Sequence, residues 1–147
     1  MGLLDLIRGG GYVADSTPAP ARLGGRSLSL GEVARTIAGG GDALGAVRDF
    51  LDQVERRSDD ELASLIRERP EPTGDRKADA LLAGVAEHLA ATRELPCSDW
   101  VHDPERFLDQ FWFVSTVPGF RAVALAQTPI ALKRRGVFWP VRSMERV

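Results

Sequence analysis

The chain has 147 residues, of which 44% are hydrophobic and 27% are charged, and its formal net charge is −2. A chain of this length buries a substantial core without disulfides or a structural metal. The single cysteine, Cys97, excludes an internal disulfide, and no apolar run approaches the roughly 18 residues of a membrane span.

The first 26 residues predict a flexible arm in front of the folded domain. Residues 9–26 are rich in Gly, Pro and Ala and lack apolar periodicity. The opening MGLLDLIRGGG carries an early acid and ends in glycine, unlike a signal peptide. We therefore expect a cytoplasmic protein without a membrane partner, whose ordered domain covers residues 27–147.

Two helices are predicted directly after the arm. Ser29 and Glu32 have the spacing of a capping box, which begins a short helix over about 30–38. Three glycines end that helix. Asp42 then caps a longer one, whose apolar residues recur at helical spacing as Ala43, Leu44, Val47, Phe50, Leu51 and Val54.

This helical hairpin has the outline of a helix-turn-helix motif, but its charge is unsuitable for DNA. The second helix carries Asp49, Asp52 and Glu55 beside Arg48 and Arg56. A recognition helix gains its affinity by neutralising phosphates with Lys or Arg. We therefore do not expect DNA reading by this hairpin.

Two further helices lead to the middle of the chain. Ser58 and Glu61 repeat the capping-box spacing, so a third helix should run to about Arg67, before two prolines. Asp75 caps the longest predicted helix, over about 76–92, whose apolar stripe consists of Ala78, Leu81, Leu82, Val85 and Leu89. We expect this helix to be the centre of the core, with His88 packed at the margin of the stripe.

All three tryptophans and five of the six phenylalanines lie between residues 100 and 139. Asp103 and Pro104 have the cap-plus-proline pattern of a helix start. The helix that follows would place four large side chains on one face, namely Phe107, Leu108, Phe111 and Trp112. Their burial would contribute on the order of 10 kcal/mol before entropy, so we expect them in the core.

The remainder of this stretch predicts two short helices and an extended end. Residues 120–126 follow a Pro-Gly turn and have the composition of a small buried helix, although a buried strand has the same composition. A second cap-plus-proline pattern predicts a basic helix over about 129–135, in which Ile130 and Leu132 supply apolar contacts. A glycine at its end suits a left-handed residue, and residues 137–139 should extend into the core.

Charge is distributed unevenly along the chain. Residues 1–118 contain 13 Lys/Arg against 20 Asp/Glu, a balance of −7, whereas residues 119–147 contain six against one, a balance of +5. The basic end either folds back onto the acidic part of the domain or binds an acidic partner or RNA.

Seven residues are therefore candidates for partner contact, five of them basic and two aromatic: Lys133, Arg134, Arg135, Arg142, Arg146, Trp100 and Trp139. A structural role is the alternative for residues 133–135, because cations in the last turn of a helix complement its dipole.

The sequence contains no catalytic or cofactor-binding pattern. Cys97 and His102 are the closest nucleophile and base, but Cys97 is more typical of a small hydrophobic side chain. Zinc requires four nitrogen or sulfur ligands, and two histidines with one cysteine supply three. The glycine runs lack the Lys-Ser/Thr of a phosphate loop. We predict neither an enzyme nor a cofactor or metal.

Two segments carry motifs that bear on the class of protein. The first contains TGD at 73–75, DALLAG at 79–84 and AEHLA at 86–90; the second contains PERFLDQFWF at 104–113 and KRRGVF at 133–138. With these motifs, residues 43–147 resemble an antitoxin-like family of small actinobacterial proteins. The resemblance implies a cognate nucleotidyltransferase-like toxin as partner. Some members carry a helix-turn-helix domain in front, where this chain has only the arm.

The sequence thus predicts an all-α protein with a single compact domain of five to seven helices and one short extended segment near the C-terminus. We expect a non-enzymatic antitoxin-like protein that neutralises its toxin by protein–protein contact. A nucleic-acid-binding regulator that uses the basic C-terminal segment is the alternative.

Overall fold

The predicted helical fold is confirmed over residues 27–140, which a computed structural model describes. The predicted arm, Arg142 and Arg146 lie outside the described residues. The helices are α1 (Leu30–Ala38), α2 (Ala43–Glu55), α3 (Asp59–Arg67), α4 (Arg76–Thr92), α5 (Phe120–Gln127) and α6 (Ile130–Lys133). Two short 3-10 helices, Asp99–His102 and Pro104–Arg106, follow α4, and two strands complete the order, β1 (Trp112–Phe113) and β2 (Val137–Phe138). No helix in this part of the chain is long and apolar enough to cross a membrane.

Side-chain caps begin the first four helices at the predicted positions. Ser29 and Ser58 each form a capping box with the glutamate three residues later. Asp42 and Asp75 accept hydrogen bonds from backbone N–H groups of the first turn. Isolated helices as short as α1 and α3 are marginal in water. The caps therefore set where these helices start, and packing on the rest of the domain stabilises them.

Helix α4 is the centre of the core, as predicted. It contacts α1, α6, both 3-10 helices and β2. Of its 17 residues, ten are buried, including Leu81, Leu82 and Val85 of the predicted stripe. A helix that neighbours contact on several sides is buried around most of its circumference. His88 is half-buried at the margin of the stripe.

Helices α4 and α6 approach each other closely at Gly84. A Cβ atom built on Gly84 would lie 2.2 Å from Leu132 Cδ2 and 3.4 Å from Leu132 Cα. Leu132 is fully buried, and close-packed interiors leave such a side chain little room to move. The absence of a side chain at residue 84 therefore lets α6 lie directly on α4.

The helix predicted from Pro104 is wrong beyond its first turn. Pro104–Arg106 form a 3-10 helix, and Phe107 is already extended, with φ −120° and ψ 133°. The Asp103 carboxylate does not cap this turn, because it accepts from Arg69 Nε at 2.8 Å.

Pairing with the end of the described chain explains this difference. The N–H of Leu108 donates to the carbonyl of Arg135 at 2.9 Å, and the N–H of Trp112 donates to Gly136 at 2.7 Å. These two N–H groups are therefore no longer available for the i to i−4 hydrogen bonds of a helix. Strand β1 pairs in parallel with β2, in the register Trp112 to Val137 and Phe113 to Phe138. The predicted extended segment at 137–139 is confirmed and is buried.

The four aromatic and aliphatic side chains predicted for one helix face are separated as a result. Phe107, Leu108 and Trp112 are half-buried, whereas Phe111 is 72% exposed. The assignment of Phe111 to the core is therefore wrong. Successive residues of an extended segment point to opposite sides, so the spacing that aligns side chains on one face of a helix no longer aligns them.

Helices α5 and α6 form, but less of them is buried than predicted. Only Ala124 is buried among the eight residues of α5, so the buried helix expected at 120–126 is an exposed one. Helix α6 ends at Lys133, and Ile130 is exposed while Leu132 is buried. Apolar residues occur around the whole circumference of α5, and such a composition does not indicate which face is covered. Gly136 adopts the predicted left-handed conformation, with φ 83°.

Substitution of Gly84 by alanine is expected to lower the free energy of unfolding by about 1–3 kcal/mol, because the added methyl group overpacks the α4–α6 contact. Gly31→Ala is the matched control, since its Cβ would meet only Ser29 Oγ, at 3.7 Å. That change should raise the free energy of unfolding by up to about 1 kcal/mol, the difference in helix propensity. Urea denaturation measures both, and equal midpoints for Gly84→Ala and the parent chain would contradict the packing.

Candidate partner-binding surface

The two tryptophans predicted for partner contact belong to the core. Trp100 is 6% exposed and Trp139 is 2% exposed. The Trp100 Nε1–H donates to the carbonyls of Ile66 at 3.3 Å and Arg67 at 3.1 Å, at the end of α3. Large rings with their polar atom satisfied in this way contribute to packing. A partner of the folded domain therefore meets almost no surface of either ring.

Arg135 is also buried, although the sequence groups it with exposed cations. Its guanidinium donates to the Glu87 carboxylate, to the Val101 carbonyl and, at 2.7 Å, to the Ala131 carbonyl. It also lies 4.7 Å from the centre of the Phe107 ring. Burial lowers the pKa of Arg135 and Glu87 opposes that shift, but arginine stays protonated in proteins. Arg135 therefore joins α4, the first 3-10 helix and the end of α6.

Two of the predicted basic residues reach the surface of the described domain. The Arg134 side chain is 41% exposed, with Nε 3.3 Å from Glu87 Oε1. Its Nη2 lies 3.0 Å from His102 Nδ1, so His102 accepts a hydrogen bond at that nitrogen. Lys133 is half-buried. Partner contact by Lys133 and Arg134 stays a prediction.

Arg135→Ala is expected to lower the free energy of unfolding by about 3 kcal/mol, because it removes the donor to two buried carbonyls and leaves Glu87 with only the partly exposed Arg134 as a cation. This is the low end for buried ion pairs, since the Glu87 side chain is 22% exposed. Arg134→Ala is the matched control and should cost less than about 1 kcal/mol, as surface pairs do. Chemical denaturation compares them, and equal costs would mean that Arg135 is not the structural cation.

Four large apolar side chains between residues 111 and 130 are at least half exposed: Phe111 at 72%, Val117 at 62%, Leu125 at 50% and Ile130 at 74%. Scattered exposed apolar side chains are ordinary, whereas a concentration of them marks an interaction surface. Helix α5 adds an exposed face made of Arg121, Ala122, Leu125 and Ala126. We term these four side chains and this helix face the 111–130 surface.

Aromatic contacts connect the two parts of this surface. Phe111 meets Phe138 edge to face with ring centres 5.0 Å apart, and Phe113 stacks on Phe138 at 4.7 Å. The Arg121 guanidinium lies 4.7 Å from the centre of the Phe113 ring, which places the first turn of α5 beside β1. Leu125 is one turn after Arg121 and shares its helix face. Phe111 and the exposed face of α5 therefore border the same group of rings.

The segment that carries this surface, residues 111–130, contains one charged residue, Arg121, and no Asp or Glu. No Asp or Glu occurs between Asp109 and Glu145, whereas Arg121, Lys133 and Arg134 lie in that interval. The opposite sign occurs on α2, where a shallow depression of about 660 Å³ is lined by Asp49, Asp52, Gln53, Glu55 and Arg56. The 111–130 surface is thus apolar with cations near it.

A cleft of about 610 Å³ lies where the TGD and PERF motifs meet, between the start of α4 and the second 3-10 helix. Its charged lining residues are Arg69, Arg76, Arg106, Asp79, Glu105 and Asp109. Arg69 pairs with Asp103 at 2.8 Å, and the buried Arg106 donates to the carbonyls of Asp79 and Pro70. The lining charges balance and these cations have partners. The cleft is therefore a poor site for an anionic ligand.

Cys97 does not have the environment of an activated thiol, and the described residues contain no metal-binding cluster. Cys97 is exposed, in contrast to the small hydrophobic side chain predicted from the sequence. Desolvation raises the pKa of its thiol, Glu87 raises it further, and Arg135 and Arg134 oppose the rise. A raised pKa leaves less thiolate at neutral pH, the opposite of the activation that nucleophilic cysteines have. Among the residues that the structure describes, no group of three or more His, Cys, Asp or Glu could hold a metal ion.

Cys97 should react more slowly with iodoacetamide at pH 8 in the native chain than in the urea-unfolded chain, despite its exposure. The reason is that the raised pKa lowers the fraction present as thiolate, which is the attacking species. The native rate should also reach half of its maximum above the ordinary thiol value of 9.0. Cys97→Ser provides the blank, and a native rate above the unfolded rate would contradict the shift.

The sequence pattern conceals the 111–130 surface, because helical spacing through residues 104–113 predicts burial of Phe111. Two signals point to it. Trp112, Phe113 and Val114 are consecutive residue types that favour strands, and Ser115 to Gly119 contains a Pro-Gly turn. Together they indicate an extended segment followed by a loop.

Comparison with known proteins gives no match, since no family model fits the chain and no curated protein or solved structure is significantly similar to it.

Proposed function

We propose that the chain is a non-enzymatic, cytoplasmic protein-binding domain of antitoxin type, which neutralises a cognate toxin by covering part of its surface. The observation that carries this proposal is the 111–130 surface, with four large apolar side chains at least half exposed. Domains present such surfaces where they bind other proteins. The resemblance to antitoxin-like proteins agrees with this function and indicates a nucleotidyltransferase-like toxin as the partner.

The apolar area of the surface determines how much binding free energy must come from other contacts with a partner. Complete burial of one such side chain contributes about 1.5–3 kcal/mol, so these partly exposed four offer on the order of 5 kcal/mol. Association costs at least about 4 kcal/mol in lost translational and rotational freedom. The apolar contacts alone therefore give a weak complex. Polar contacts, for which Arg121, Lys133 and Arg134 are placed nearby, must supply the remaining affinity.

A nucleic-acid-binding regulator is the second candidate, and one observation favours it, the acid-free interval between Asp109 and Glu145, which contains five Lys or Arg residues. Phosphate contacts dominate nucleic-acid affinity. Arg135 is withdrawn from that role by its burial, and Arg134 is paired with Glu87. A protein partner also accounts for the exposed Phe111 and Ile130, which phosphates do not contact favourably. We therefore favour the protein partner.

Co-expression with the protein encoded by the adjacent gene should restore growth, and the two proteins should purify together. Leu125→Glu should weaken the complex at least about tenfold, or 1.4 kcal/mol, because it places a charge on the apolar contact. Leu28→Glu is the matched control, since Leu28 is 44% exposed and lies before α1, outside the 111–130 surface. Circular dichroism checks that both variants remain helical.

Two results would contradict the proposed function. The first is neither growth rescue nor a complex with the unmodified chain. The second is an equal loss of affinity for Leu125→Glu and Leu28→Glu, which would mean that the 111–130 surface is not the contact. Salt-dependent RNA binding that disappears in a Lys133→Ala, Arg134→Ala double variant would support the second candidate instead.

A further inference from the structure

We infer that the element seated on the 111–130 surface is an acidic amphipathic helix of the partner, lying along the exposed face of α5. This inference deepens the proposed function and rests on it for the identity of the partner as a protein. The chemistry of the contact is a property of this chain, however, and it can be tested without the natural partner.

The shape of the surface suits a helix. The exposed face of α5 presents Leu125 between two alanines, Ala122 and Ala126. Small side chains let two helices approach to the 8–10 Å axis separation at which side chains interdigitate. Helix α5 has eight residues and is about 12 Å long. Exposed Val117 precedes α5 and exposed Ile130 follows it, so apolar contact continues past both ends and can engage about three turns of a partner helix.

The charge of the surface selects an acidic helix. Arg121 lies in the first turn of α5, and Lys133 and Arg134 follow Ile130, with no acid in the interval. The first turn of α5 also lacks both an acidic residue and a side-chain cap, so nothing local offsets the positive end of its dipole. An acidic partner helix is attracted to Arg121 and to the N-terminal end of α5, both of which repel a basic helix, whereas Arg134 is already paired with Glu87.

A second copy of the chain is a poorer occupant of this face. Two-fold pairing through α5 would bring Arg121 of one copy near the same cationic face of the other, without a carboxylate to balance them. The acidic face of α2 could offset the charge in a head-to-tail contact. That face, however, presents Asp49, Asp52 and Glu55 rather than apolar side chains, so it would leave Leu125 and Ile130 without apolar partners.

Two synthetic 18-residue peptides provide the probe. Both carry the same apolar stripe, with leucine at helical spacing, and they differ in having glutamate or lysine at every polar position. Titration calorimetry with the purified full chain should detect the acidic peptide and give at least tenfold weaker binding for the basic peptide. Arg121→Glu should weaken binding of the acidic peptide at least tenfold, and Leu125→Glu, which removes an apolar contact and adds a like charge, should abolish binding of the acidic peptide.

Arg56→Glu is the matched control, because it makes the same charge change at an exposed residue directly after α2 and should leave peptide binding unchanged. Equal binding of the two peptides, no binding of either at millimolar concentration, or no effect of Leu125→Glu would each overturn the inference. So would a homodimer in sedimentation that Leu125→Glu dissociates, since the occupant would then be a second copy.

The peptide and co-expression experiments separate this inference from the proposed function. Selective binding of the acidic peptide without growth rescue would leave the docking chemistry intact and remove the antitoxin role. Growth rescue by the Arg121→Glu variant at the level of the unmodified chain, with equal binding of the two peptides, would overturn the acidic helix and leave the antitoxin role.

Discussion

The ion pair between Arg135 and Glu87 fixes the position of the last described segment on α4. The side chain of Arg135 contacts Glu87, Val101 and Ala131, while its backbone carbonyl accepts the N–H of Leu108. One residue thereby joins a helix, a 3-10 helix and the segment that leads into β1. A buried ion pair adds little net stability compared with apolar residues of the same size, but loss of one partner is costly. We therefore regard Arg135 chiefly as the residue that sets how the segment before β1 aligns with the segment before β2.

The pairing of β1 with β2 also determines which side chains are exposed at the surface. Once β2 lies beside α4, the carbonyls of Gly136 and Phe138 accept hydrogen bonds from the N–H groups of Trp112 and Val114. The chain from Phe107 to Phe113 then cannot form a helix. Phe111 then contacts Phe138 edge to face, and most of its own surface is exposed to solvent. The same arrangement that places Trp139 in the core thus places Phe111 outside it. Core and candidate contact surface have a common structural cause.

Local signals account for what the sequence predicts correctly. The caps at Ser29, Asp42, Ser58 and Asp75 involve residues no more than three positions apart, and the first four helices begin where those caps require. The hydrogen bond from Leu108 to Arg135, in contrast, joins residues far apart in sequence, and no spacing rule reveals it. The same applies to charge. A run of Lys-Arg-Arg resembles a basic patch, yet its last member is buried against the Glu87 carboxylate of α4, the Val101 carbonyl of the first 3-10 helix and the Ala131 carbonyl one turn earlier.

Helix α5 has one buried residue, Ala124. Its exposed residues are therefore under weaker constraint from folding than the residues of the core. Residues on the exposed face of this helix can change without creating a cavity or an unpaired charge in the interior, so such changes have small effects on folding. Gly84 and Arg135 have no such freedom. Under the proposed function, partner specificity can therefore change through substitutions on α5 that leave the interior of the domain intact.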